Sequence, residues 1–137
     1  MTSSHTIKAR VYYENTDAGG VVYHSDYLKF AARGRTELLR HWGGTEQEWA
    51  EKEKVLFVVT HADIKFKSPA RLDDLLTIAT SIKTMTKFRM TFDQKIYVET
   101  RLCVAITIEI VCVDLGTYKP IKFPEYLQEK AKRYIHD

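Results

Sequence analysis

Residues 11–40 read VYYENTDAGGVVYHSDYLKFAARGRTELLR, and within them the spacing of apolar side chains changes from that of a strand to that of a helix. Ile7, Ala9, Val11 and Tyr13 alternate with Lys8, Arg10 and Tyr12, the period of a strand buried on one face. Tyr13 continues that apolar face. The stretch Glu14-Asn15-Thr16-Asp17-Ala18-Gly19-Gly20 then breaks the pattern, and its small residues and paired glycines open backbone conformations that other residues resist. From Ser25 or Asp26 to Trp42, the residues Leu28, Ala31, Leu38, Leu39 and Trp42 recur at helical spacing. Ser and Asp are good N-caps, and Gly43-Gly44 is a natural stop. Gly34 inside this helix costs about 1 kcal/mol relative to Ala, a cost that close approach to a sheet would offset.

Beyond the helix, the capping box Thr45-x-x-Glu48 announces a second, short helix. Four strand-like segments follow. Ala62, Ile64 and Phe66 alternate with His61, Asp63, Lys65 and Lys67, and Leu76, Ile78 and Ile82 with Thr77, Ala79 and Ser81. Phe88, Met90, Phe92, Ile96 and Val98 form a third apolar row, and Leu102, Val104, Ile106, Ile108, Ile110 and Cys112 a fourth. The connections are short, as antiparallel neighbours require. Pro124 and the basic residues after it frame a last helix. One long helix and one antiparallel sheet must bury each other's apolar faces, which makes the class α+β.

The chain has 137 residues, 45% hydrophobic and 28% charged, which suits one globular domain spanning 1–137. With 21 basic and 18 acidic residues the formal charge is +3, too modest for a nucleic-acid partner, and Lys130-Ala131-Lys132-Arg133 reads as the solvated face of the last helix. No stretch approaches the roughly 18 apolar residues of a membrane span. The polar start, Met1 to Arg10, lacks the apolar region of an export signal, so the expected location is cytoplasmic. Cys103 and Cys112 lie nine residues apart in one strand, roughly 30 Å along it. A disulfide spans only about 7 Å between Cα atoms, so both are expected reduced and buried.

The chemistry concentrates in the opening stretch, which sets Tyr13, Asp17 and His24 around a glycine-bearing loop just before a helix N-terminus. Such an N-terminus offers unpaired N–H groups and partial positive charge, the donors that a carbonyl oxygen needs as it gains charge in acyl transfer. A carboxylate on the facing loop can attack that carbonyl or activate water. Each residue also has a plainer reading. Asp17 can cap a turn, His24 can be a polar first-turn residue, Tyr13 can be core, and Gly19-Gly20 can be a turn only. The loop lacks the phosphate-cradling pattern G-x-x-x-x-G-K-[ST]. Asp17 and His24 have no third partner at metal-ligand spacing, so no metal is expected.

Read whole, the stretch from Tyr12 to His24, continuing through Tyr27-Leu28 and Arg33-Gly34-Arg35-Thr36-Glu37, strongly resembles the hotdog-fold thioesterases of the 4-hydroxybenzoyl-CoA thioesterase family. The resemblance is greatest to the YbgC-like acyl-CoA thioesterases associated with the bacterial Tol–Pal system. Ser68-Pro69-Ala70-Arg71-Leu72-Asp73-Asp74 and Val111-Cys112-Val113-Asp114 extend it over nearly the whole chain. Two positions depart from the family pattern: Asn15 stands where an acidic residue is usual, and Gly34 where Ala is common.

The resemblance implies a five-stranded antiparallel sheet wrapped around the long helix and an acyl-CoA thioesterase acting in lipid metabolism without a cofactor. It implies that Asp17 is the catalytic carboxylate, nucleophile or general base, and that Tyr13 and His24 line the same site. The His24 backbone N–H would polarise the carbonyl. Gly19, Gly20 and Tyr23 would contact substrate, and Lys65, Lys67, Arg71, Lys87 and Arg89 are candidates for the CoA phosphates, unless they are only solubilising charges. A homodimer or homotetramer with sites between subunits is implied, with acyl carrier protein as a further partner. Two rivals from other classes are a hotdog hydratase or dehydratase, which leaves the thioester intact, and a non-catalytic acyl-carrier-binding subunit.

Overall fold

Alternating apolar residues build a single sheet, and one helix closes its inner face. The computed structural model describes residues 4–135. Its elements are β1 (His5–Arg10), a 3-10 turn (Tyr13–Asn15), α1 (Asp26–Trp42), α2 (Glu46–Glu53), β2 (Val55–Phe66), β3 (Leu75–Met85), β4 (Arg89–Val98), β5 (Arg101–Asp114) and α3 (Glu125–Lys132). The five strands are antiparallel in the order β1-β3-β4-β5-β2, and the α+β hotdog architecture expected from the sequence is the one observed.

The inner face carries Leu76, Ile78 and Ile82 of β3, Met90, Phe92 and Ile96 of β4, and Val104, Ile106, Ile108, Ile110 and Cys112 of β5, all buried. Against it α1 buries Tyr27, Phe30, Ala31, Gly34, Leu38, Leu39 and Trp42. Leu28 proves 36% exposed, because α1 lies over β1 and β3 and leaves that flank open. Both cysteines are free and buried, and burial pushes the Cys112 thiol up to about 11. The capping box of α2 forms in both directions, with Glu48 N–H donating to Thr45 Oγ1 at 3.1 Å and Thr45 N–H to Glu48 Oε1 at 3.1 Å. At α1 the N-cap is Ser25, but its side chain makes no capping bond.

Two boundaries differ from the sequence reading. β2 begins at Val55 rather than near His61, because a bulge between Val59 and His61 shifts the register. Before it the inward residues are Phe57 and Val59, opposite Cys112 and Ile110; after it they are Ala62, Ile64 and Phe66, opposite Ile108, Ile106 and Val104. The extra residue reverses the parity of alternation, so no single period covers the strand. β1 ends at Arg10, and Tyr13 is not core: it opens the 3-10 turn and is 81% exposed. Chain reversal begins where the Tyr12 N–H turns to the Asn15 side chain, 2.8 Å from Oδ1.

Gly34 seats the helix. A Cβ there would lie 2.8 Å from Ile78 Cγ2, 2.9 Å from Thr80 Oγ1 and 3.0 Å from Gln94 Nε2. The buried Gln94 amide uses the space to donate to Ala31 O at 2.8 Å and Thr80 Oγ1 at 2.9 Å. Its oxygen accepts from Arg35 Nη1 at 3.0 Å, and burial pulls that guanidinium below its usual range while Glu46 opposes the shift. Helix propensity alone would make Gly34→Ala stabilising by about 1 kcal/mol. Overpacking against two stiff β-branched side chains costs about 1–3 kcal/mol, so we expect a net loss of up to about 2 kcal/mol. A thermal melt at or above the wild-type Tm would contradict this.

Candidate active site

The strand order decides where a site can form. β2 lies on one edge beside β5, whereas β3 lies beside β1, so residues 67–74 must cross the ends of β5 and β4, roughly 14 Å at ordinary strand spacing. That crossing runs beneath the loop between β1 and α1, and the two are stitched together. Val22 N–H donates to Ala70 O at 2.8 Å, Val11 N–H to Asp74 O at 2.9 Å, and Asp73 N–H to Val11 O at 3.0 Å. Val21 and Arg71 form an isolated bridge.

Two side chains hold the crossing from outside it. Arg101 Nη1 donates to Pro69 O at 2.7 Å and to Ser68 Oγ at 2.9 Å. The buried Tyr27 hydroxyl accepts the Ala70 N–H at 3.1 Å; burial raises its pKa, and the Ala70 bond opposes the rise. Sequence reading gave Tyr27, Arg101, Ser68 and Pro69 no individual role, because their partners lie tens of residues away and leave no local pattern.

Within the loop, residues 16–22 form a small hairpin. Thr16 bridges Val22, Asp17 N–H donates to Val21 O at 3.0 Å, and Gly20 N–H donates to Asp17 O at 3.0 Å. Gly20 sits at φ +78, a conformation that favours glycine. Asp17 is exposed and its Oδ1 accepts the Gly19 N–H at 2.8 Å, so the turn-capping reading holds geometrically, and the cap fixes the direction of the carboxylate. A side chain at position 19 would press on that oxygen, its Cβ 3.3 Å away.

Where the loop meets α1, the His24 N–H donates to no acceptor among the described residues. It is the kind of orphan donor that a helix start provides. The His24 ring lies 4.3 Å from that of Tyr23, and His24 opens onto a cleft of about 290 Å³ that it lines with Val22, Tyr27, Phe66, Lys67, Ser68 and Pro69. The structure therefore brings His24 and Lys67 together, with Lys65 and Arg71 at the same end of the sheet. Asp17, Gly19, Gly20, Tyr13 and Tyr23 belong to the same loop but do not line that cleft. Lys87 and Arg89 stand at the opposite end, the 11-residue length of β3 away, roughly 33 Å. There Arg89 pairs with Glu109 at 3.6 Å. Among the described residues no three His, Cys, Asp or Glu side chains gather as a metal site.

A helix start whose His24 amide has no acceptor among the described residues, a carboxylate hairpin beside it and a largely apolar cleft lie together at one end of the sheet, and residues 11–131 match the Thioesterase-like superfamily. The chain belongs to that superfamily. It is 40% identical over 125 residues to the acyl-CoA thioesterase YbgC of Haemophilus influenzae, covering 91% of this chain and 92% of that relative. A probable thioesterase from Bartonella henselae, 40% identical, superposes with a TM-score of 0.85 over 89% of this chain and 100% of its own. The 1,4-dihydroxy-2-naphthoyl-CoA thioesterase of Synechocystis, 23% identical, shares the fold with a TM-score of 0.88 over 98% and 100% of the two chains.

Tyr27→Phe keeps the ring and removes only the acceptor of the Ala70 N–H. An unsatisfied buried donor costs about 1–3 kcal/mol. We expect a lower Tm of that order and a raised KM from the loosened crossing; unchanged values for both would show that Ala70 finds another acceptor.

Proposed function

We propose that this thioesterase hydrolyses acyl-CoA to free acid and CoA, with Asp17 as nucleophile or general base and the His24 N–H polarising the thioester carbonyl. The observation that carries the reading is the His24 amide at the start of α1, without an acceptor among the described residues, in a residue that lines a cleft in a chain of this superfamily. As nucleophile, an Asp17 oxygen adds to the carbonyl carbon and the C–S bond breaks. The CoA thiolate leaves and takes a proton, and water then opens the acyl anhydride, restoring the carboxylate. As general base, Asp17 takes a proton from water while the oxygen adds, and that proton goes to the departing sulfur. In both routes negative charge grows on the carbonyl oxygen, where a fixed N–H donor stabilises the transition state. His24 and Tyr13 position substrate or water. Gly19, Gly20 and Tyr23 shape the approach, and Lys65, Lys67 and Arg71 supply cations for the phosphates of CoA.

Asp17→Asn keeps the shape of the hairpin and removes the charge. It should lower kcat by about a hundredfold or more in a folded protein, followed as CoA thiol release. His24→Ala keeps the backbone donor and loses only side-chain positioning, so it should be the milder lesion. The reverse order in kcat/KM on one acyl-CoA would make His24 the principal catalyst. Thiol release also separates hydrolysis from a hydration or dehydration that spares the thioester.

We further propose a homodimer or homotetramer. β2 is a 12-residue edge strand on which Val58, Val59 and Phe66 are 40%, 48% and 54% exposed, and an open apolar edge is a liability unless paired. Lys87 and Arg89 lie at the far end of the sheet from His24 and Lys67, so only through assembly can they reach the same substrate. Sedimentation should show no active monomer at micromolar concentration; a stable, active monomer would end this part of the proposal. Acyl carrier protein, acidic and bearing the same thioester, suits the basic end of the sheet. The two free cysteines fit a cytoplasmic setting. Among the described residues, no helix is long and apolar enough to cross a membrane.

A further inference from the structure

We infer that Asn15 and Asp26 form a buried amide–carboxylate clamp that positions the Asp17 hairpin against the start of α1. This rests on the assignment of Asp17 made above. Both residues are nearly closed to solvent, 8% and 7% exposed, an unusual state for a carboxylate unless it has a partner. Asn15 uses every polar group it owns. Its Nδ2 donates to Asp26 Oδ2 at 3.0 Å and its Oδ1 accepts the Tyr12 N–H at 2.8 Å. Its backbone O accepts the Tyr23 N–H at 2.8 Å, and its own N–H donates to Tyr12 O at 2.9 Å. One residue thereby joins the entry of the loop at Tyr12, its exit at Tyr23 and the first turn of the helix at Asp26.

The residues between these anchors include Asp17 and His24, the proposed carboxylate and the proposed donor. Asp26 is in turn fixed: its N–H donates to Tyr23 O at 2.9 Å, Lys29 Nζ stands 3.8 Å from its other oxygen, and its charge lies at the favourable end of the helix dipole. The clamp touches no substrate. It sets the separation between a carboxylate and an N–H donor, a quantity for which an error of about 1 Å can cost roughly a hundredfold in rate.

The chemistry of the pair supplies its own test. Asn15→Asp sets two buried carboxylates face to face, which disfavours the charged pair. The exchange Asn15→Asp with Asp26→Asn restores one donor and one acceptor across the gap, and an aspartate at 15 still accepts the Tyr12 N–H. Steady-state kinetics on one acyl-CoA, with folding verified by circular dichroism and melting, should show kcat about a hundredfold lower in Asn15→Asp and Asn15→Ala. KM should stay within about threefold in both, the pattern of a lost transition-state interaction. The exchanged protein should return to within about tenfold of wild type. Asn15→Ala added to Asp17→Asn should cost little more, because the clamp acts through that carboxylate and such effects do not add.

The proposal is overturned by wild-type kcat in Asn15→Ala, or by an exchanged protein that is unfolded or no more active than Asn15→Asp. It is equally overturned if the single variants fail to fold while the exchange folds, which would make the pair a folding element, or if Asn15→Ala costs as much without Asp17 as with it. Failure of the Asp17 assignment is visible separately, as an Asp17→Asn enzyme with undiminished kcat, and would remove the clamp's purpose with it.

Discussion

Everything in this fold waits on how closely α1 can approach the sheet. The helix carries eight buried residues, but the contact that sets its height is the bare Cα of Gly34 over Ile78, Thr80 and Gln94. Gln94 fills a place where an apolar side chain would be ordinary. Its amide ties the helix backbone at Ala31 to the sheet at Thr80, so the helix is fixed by direction as well as by apolar contact. A buried amide with its hydrogen bonds satisfied defines one arrangement more sharply than packing alone. Because α1 is seated at its middle, its N-terminus is held at the end of the sheet where the chain crosses from β2 to β3.

That crossing is the second constraint, and it follows from topology. A meander of β3, β4 and β5 with β2 added at the far edge forces residues 67–74 across the sheet end, where they meet the loop that enters α1. Two blocks of sequence, 11–24 and 67–74, thus become one structure. The loop hydrogen bonds to the crossing at Val22 and Val11, and the crossing hangs from Tyr27 and Arg101. The Asp17 hairpin owes its place to both.

Much of this was legible in the residues. The helix boundaries, the capping box of α2, the reason for Gly34 and the buried rows of β3, β4 and β5, apart from Phe88, which precedes β4 and is 46% exposed, follow from local period and propensity, and those are the features that one segment determines for itself. The first half of β2 was not legible, because a bulge changes parity between Val59 and His61 and erases the alternation on which strand recognition relies. Tyr13 misled for a related reason: the alternation of β1 runs on into residues that the Asn15 side chain has already turned away. The two departures from the family pattern, Asn15 and Gly34, both find buried partners, Asp26 for one and the Thr80–Gln94 pair for the other. Membership in the thioesterase superfamily was visible in the loop motif. The cleft was not, since Phe66, Ser68, Pro69 and Tyr27 meet only after the sheet has formed.

The long reach of the bonds around the crossing also bears on the order in which the molecule is made. Tyr27 reaches Ala70 across 43 residues, and Arg101 reaches Ser68 and Pro69 across 33 and 32. Helix α1 and the β4–β5 hairpin can form from near neighbours, whereas each of these bonds closes a loop whose entropy must be overcome first. Arg101 follows the tight turn after β4, so the crossing cannot be tied down until that hairpin exists. The cleft is therefore a late product of folding, and during renaturation native helical content should return ahead of catalytic competence.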